Sequence, residues 1–105
     1  MEIDADARVA ALQEKADYVA SRLALVANAK RLLILCELAA GERSVGSLQA
    51  AVGLGQSALS QHLAKLREAR MVDTRREGQT IYYHISDPEV ETLMAALYAA
   101  FCKAD

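Results

Sequence analysis

Residues 44–66 set hydroxyl and amide side chains where a folded chain could offer them to another molecule. The segment reads as two short helices hinged by Gly53-Leu54-Gly55. In the second, Leu59, Leu63 and Leu66 recur at i, i+4 and i+7 as a core-facing stripe, while Ser57, Ser60 and Gln61 fall on the opposite side of the cylinder. A surface helix kept merely soluble usually carries Glu and Lys there. Small uncharged groups that both donate and accept hydrogen bonds suit base edges and phosphate oxygens instead. Gln56, Ser57, Ser60 and Gln61 are therefore expected to meet double-stranded DNA, with Gln61 placed for an amide-to-adenine pair worth about 1–3 kcal/mol of discrimination. Lys65, one turn further on, is placed for phosphate. His62 lies between the polar and apolar faces, where packing, phosphate contact and base contact all fit.

The other reactive side chains are two cysteines, Cys36 and Cys102. With two distant histidines they give no recognisable tetrahedral zinc spacing. There is no Cys-x-x-Cys and no adjacent His to act as a base, and a Leu-rich helix is a poor entrance for substrate, so a thiol enzyme is disfavoured. On its residues alone, Cys36 reads equally well as a small core hydrophobe.

The elements that must position these groups follow from periodicity. The chain has 105 residues, 53% of them hydrophobic, with one Pro and no Trp, which suits one mainly helical domain over residues 1–105. Val9, Leu12, Ala16, Val19, Leu23 and Val26 predict one long amphipathic helix from about Ala5 to Ala27. Asn28 is a plausible cap for a second helix ending at Gly41, apolar almost all round and so expected at the centre of the domain. Ser44 can cap a third, to about Val52, and a fourth spans roughly Gln56 to Ala69. Alternation then replaces helical period, predicting two strands joined through Glu77-Gly78-Gln79. Ser86-Asp87-Pro88-Glu89 opens a fifth helix whose face is Val90, Leu93, Met94, Leu97, Tyr98 and Phe101. The stripes of the two terminal helices exceed what so small a core can cover and are expected to pair with a second copy. Arg75, Arg76 and Gln79 on the hairpin are placed for DNA backbone or minor groove, although alternation keeps Arg75 and Arg76 from pointing the same way. The net charge of −2 argues against nucleic acid, but its distribution does not: residues 53–86 are net +2 and residues 87–105 net −3. The longest apolar run, Leu93 to Cys102, is too short to span a membrane, and the acidic start is unlike a signal peptide, so a cytoplasmic protein is expected.

Helix-turn-helix followed by a basic hairpin describes a winged helix. Ala29-Lys30-Arg31-Leu32-Leu33-Ile34-Leu35, Ser57-Ala58-Leu59-Ser60-Gln61-His62-Leu63 with Leu66-Arg67, and Tyr82-Tyr83 resemble the ArsR family of bacterial transcriptional repressors, over roughly residues 18–103. The resemblance implies a homodimer, terminal helices at its interface, that binds operator DNA and releases it when an inducer binds or reacts elsewhere. Arsenic-sensing members carry a Cys-x-Cys pair where this chain has Ser44 and Gly46, neither able to hold a soft metal. Zinc-type members place Asp and His ligands along the last helix, which here has no His and only Glu89 and Glu91 near its start. No metal and no cofactor is expected. Cys36, in its Ile-Leu-Cys setting, and Cys102 resemble the pair of the persulfide-sensing subgroup, in which two cysteines become bridged by sulfur. That likeness implies a repressor released by reactive sulfur species, with the bridge inside one subunit. The attacking species is a thiolate, so one thiol should have a lowered pKa, with Lys103 beside Cys102 and Arg31 near Cys36 as the candidate cations. A metal- or haem-responsive repressor, or a constitutive one with inert cysteines, is the alternative.

Overall fold

The computed structural model describes residues 4–102, so Lys103 lies outside the described residues. Six helices and three strands follow in the order α1 (Ala5–Glu14), α2 (Ala16–Val26), α3 (Ala29–Ala39), β1 (Arg43–Ser44), α4 (Val45–Val52), α5 (Gln56–Glu68), β2 (Val72–Glu77), β3 (Thr80–Ile85) and α6 (Pro88–Phe101). Six helices correct the expected five. The long first helix is broken at Lys15, whose φ of −107° and ψ of 7° leave the helical well and whose N–H bonds back to the Leu12 carbonyl at 3.1 Å. Neither Gly nor Pro marks the break in the sequence.

Where the chain carries a cap, helix starts fall as expected. The Asn28 side chain accepts from the N–H groups of Lys30 and Arg31 at 3.0 and 3.1 Å, Ser44 Oγ accepts from Ser47 N–H at 3.1 Å, and Asp87 accepts from Glu89 N–H at 2.9 Å. Gly53 at φ 67° closes α4 in the left-handed region, making the turn of the helix-turn-helix. Beyond α5 the N–H of Met71 bonds to the Leu66 carbonyl at 3.0 Å and that of Arg70 to the Arg67 carbonyl at 2.9 Å. This is a Schellman closure, with Arg70 at φ 62° where glycine is usual.

β3 is the central strand of an antiparallel sheet in the order β1-β3-β2. Val72 pairs with Ile85 and Glu77 with Thr80, which leaves Gly78-Gln79 as a two-residue loop with Gly78 at φ 62°. The two-residue β1, which pairs Arg43 with Tyr83, is too short to leave a periodic signal.

The core joins Ile34, Leu35 and Leu38 of α3, Leu48 and Val52 of α4, and Leu59, Leu63 and Leu66 of α5 to Met71, Val72, Ile85, Val90 and Met94. Thus α3 is central on one side only. Leu33 and Cys36 face outward, which corrects the expectation of a helix buried all round. Arg22 straps α2 to the domain, donating to the Ala69 carbonyl at 2.7 Å and pairing with Asp87, while Tyr18 donates to Glu89 at 2.7 Å. The α1 helix buries nothing, and Leu12, Tyr98 and Phe101 are 59, 64 and 82% exposed. No helix among the described residues is long and apolar enough to cross a membrane.

Candidate nucleic-acid interface and thiol pair

The stripe of α5 fixes its orientation. Leu59, Leu63 and Leu66 are fully or almost fully buried, so Gln56, Ser57, Ser60, Gln61 and Lys65 are turned to solvent together. They stand on the first three turns of a helix carried by the α4–α5 hinge, with no acidic residue in the first turn to repel phosphate. His62 is placed differently. It is half-buried, and its Nδ1 lies 3.3 Å from Nη1 of Arg31 on α3. Burial, then the charges of Arg31 and Lys65, push its pKa below the ordinary histidine value. A neutral ring accepting from Arg31 braces α5 against α3. Arg31 is thereby spoken for, bonding His62 and the Leu25 carbonyl at 2.5 Å.

The hairpin separates its two arginines, as alternation requires. Arg76 shares a face with Thr74, Ile81 and Tyr83, and the Tyr83 ring lines a groove of about 370 Å³ against Ser60, Leu63 and Arg67 of α5. Arg76 Nε donates to the Gly78 carbonyl at 3.0 Å, close to exposed Gln79. Arg75 lies on the other face, over the Tyr82 ring at 4.7 Å, bonded to Glu42 at 2.7–3.2 Å and to Glu77 at 2.9 Å. Arg75 is therefore the cross-strand charge, and Arg76 shares the sheet face that Tyr83 turns toward α5. Glu42 escaped sequence reasoning, because nothing local ties it to residue 75.

A cleft of about 920 Å³ runs between α3 and α6, and both Cys36 and Cys102 line it. Its walls are mainly apolar, with Leu32, Met94, Leu97 and Phe101 among them, and Glu42, His84 and Glu91 supply the polar atoms. Cys36 projects from the middle of α3, and Cys102 caps the end of α6. Both are free thiols exposed to solvent. Burial, then the charges of Cys102 and Glu37, raise the Cys36 pKa. That corrects the expected help from Arg31, whose guanidinium is engaged with α5 while an acidic neighbour sits beside the thiol.

A hinged helix pair presenting hydroxyls and amides, flanked by a basic hairpin, defines a winged helix-turn-helix DNA-binding protein. Comparison with known proteins makes the class narrower. The family model for bacterial regulatory proteins of the arsR family matches residues 28–74. The biofilm growth-associated repressor of Agrobacterium fabrum is 46% identical over 92 residues, 88% of this chain and 79% of that protein. HlyU of Vibrio cholerae, named a transcriptional activator, is 47% identical over 83 residues, 79% of this chain and 77% of that one. Its structure in the reduced form superposes with a TM-score of 0.83 at 41% identity, covering 88% of this chain and 97% of that chain. A homodimeric winged helix-turn-helix domain from Mycobacterium bovis superposes with a TM-score of 0.69 at 35% identity, covering 95% and 89%. The chain belongs to the arsR family of bacterial regulatory proteins.

Proposed function

We propose that this regulator is a dithiol switch: a homodimeric repressor that holds operator DNA while Cys36 and Cys102 are reduced and leaves it when reactive sulfur bridges them. The observation that carries the reading is the shared cleft, which brings residues from two separate helices to one space open to solvent. Gln56, Ser57, Ser60 and Gln61 read the groove, Lys65 and Arg76 meet phosphate, and Gln79 reaches from the wing tip.

The chemistry needs no further reductant or oxidant. With a tetrasulfide as donor, the Cys102 thiolate attacks an inner sulfur and one terminal sulfur leaves as a thiol. Cys36, having lost its proton, then attacks the sulfur next to Cys102, and the last two sulfurs leave together as a hydropersulfide. Two protein thiols and one tetrasulfide thus give one protein trisulfide, one thiol and one hydropersulfide, the two protons passing to the leaving sulfurs. Attack starts at Cys102 because burial and neighbouring charge hold Cys36 protonated. A bridge with an inserted sulfur spans a wider gap than a disulfide, whose Cα atoms must stand about 4.4–6.8 Å apart. A gap wider than that favours polysulfide over peroxide.

Joining α3 to α6 ties the helix that braces α5 to the helix whose stripe faces the second subunit. A dimer reads half-sites about 34–36 Å apart, so a small rotation between subunits misaligns one reading helix. A coupling of about 1–3 kcal/mol lowers affinity about 5- to 150-fold. The test is DNA binding by the reduced protein before and after polysulfide, using a duplex recovered by selection from random-sequence DNA. Treated wild type should lose affinity and regain it with dithiothreitol, while Cys36→Ser and Cys102→Ser should bind throughout. Undiminished binding by the treated wild type overturns the switch.

A further inference from the structure

Arg75 is the hairpin's most heavily engaged cation. Its Nε and Nη2 reach both oxygens of Glu42 at 2.7–3.2 Å, its Nη1 reaches Glu77 at 2.9 Å, and its plane lies over Tyr82, its directly paired residue. Arg76, one residue on, bonds only a backbone carbonyl among the described residues. Glu42 sits in the short link between α3 and β1, after Gly41 at φ 146°, so its carboxylate is carried to the hairpin by backbone rather than by a mobile loop tip. The guanidinium beside it holds the Glu42 carboxyl below the usual carboxylate range, and the charge is present throughout the neutral range.

A planar guanidinium offers its donors to carboxylate and phosphate in the same forked geometry. A hairpin laid along a DNA groove has a phosphate strand on either side, so a cation on the face away from α5 also meets backbone. In the free protein, Glu42 and Glu77 occupy the donors that a phosphate would take.

Resting on the DNA-binding reading above, we infer that Arg75 is a reserve phosphate contact and that Glu42 is the positioning residue that keeps it in reserve. On DNA, phosphate competes with the Glu42 carboxylate for the guanidinium, and that competition holds affinity below what the arginine alone would give. A regulator that must let go on signal benefits from that ceiling. That carboxylate stands in the wall of the thiol cleft, beside His84, whose Nδ1 has no hydrogen-bond partner among the described residues and lies 3.9 Å away. The competition therefore occurs where the wing and the thiol cleft meet.

Glu42→Gln keeps the shape and removes the charge. Its affinity for a 30-base-pair random-sequence duplex, followed by fluorescence anisotropy across a salt series, should rise about threefold to tenfold at low salt, with a log–log salt slope steeper by about 0.9 for each phosphate gained. In the Glu42→Gln background, Arg75→Gln should abolish the gain, returning affinity and slope to those of Arg75→Gln alone. Unchanged or weaker binding by Glu42→Gln in a protein of unaltered melting temperature overturns the reserve and leaves Glu42 a brace of the hairpin. A gain that survives Arg75→Gln overturns it too, since the effect then comes from net charge alone. Absence of DNA binding by wild type at low salt removes the DNA-binding reading itself, a result the variants cannot mimic.

Discussion

Gln61 and Lys65 both leave α5 toward solvent, yet they should fail in different ways when removed. Gln61→Ala should cost about 1–3 kcal/mol at one base position and relax preference there, leaving binding to random duplex almost unchanged. Lys65→Gln should weaken specific and random duplexes alike and flatten the salt slope by about 0.9. Competition binding over a base-substituted operator series separates the two. The thiols make a second residue-scale prediction. Because burial and acidic neighbours raise the Cys36 pKa, it stays protonated to higher pH than an ordinary thiol. In Cys102→Ser, alkylation by iodoacetamide at pH 7 should be slower than for an unstructured cysteine peptide, and the rate should keep climbing with pH after the peptide's has levelled. A rate equal to the peptide's contradicts the account of attack order. Which residues face solvent on α5 was legible, because three leucines at helical spacing fix the opposite side. The engagement of His62 and Arg75 was not, since Arg31 and Glu42 approach from elements far off in the chain.

At the scale of elements, what the sequence announced was what local chemistry decides. Asn28, Ser44 and Asp87 cap their helices through their own side chains, and Gly53 turns the chain between α4 and α5. What it concealed depends on tertiary context: the break at Lys15, the two-residue β1, and Arg70 in the left-handed region. A residue with a Cβ in that region costs about 1–2 kcal/mol, partly offset by the greater entropy glycine loses on folding. Arg70→Gly should therefore raise stability in urea by about 0.5–1 kcal/mol without altering DNA binding. Leu63→Ala, by contrast, empties a filled core position and should cost about 2–5 kcal/mol. If Arg70→Gly destabilises, the turn is held by something other than its backbone geometry.

The whole molecule is extended for its length. Its radius of gyration is 15.7 Å, against about 13 Å for a compact chain of this size, and its extents are 51 × 35 × 23 Å. The excess comes with a terminal helix that buries nothing and an α6 that leaves Tyr98 and Phe101 open. Such stripes are what a second copy would cover, as the homodimeric relative illustrates. Replacing Leu12 and Phe101 by Glu together should shift the protein to monomer in sedimentation equilibrium and weaken operator binding at least tenfold, because each half-site alone holds only part of the contacts. The periodic stripes made the exposed faces of the terminal helices legible in outline, whereas nothing local in the sequence sets Cys36 and Cys102 on the walls of one cleft. The most direct test follows one sample through polysulfide titration, reading the fraction of protomers with an intrachain sulfur bridge by non-reducing mass spectrometry and the fraction of DNA released. The account predicts that release rises in step with bridges that join Cys36 to Cys102 within a protomer and retain inserted sulfur. Complete bridging with DNA still bound, or release from unbridged protein, would contradict it.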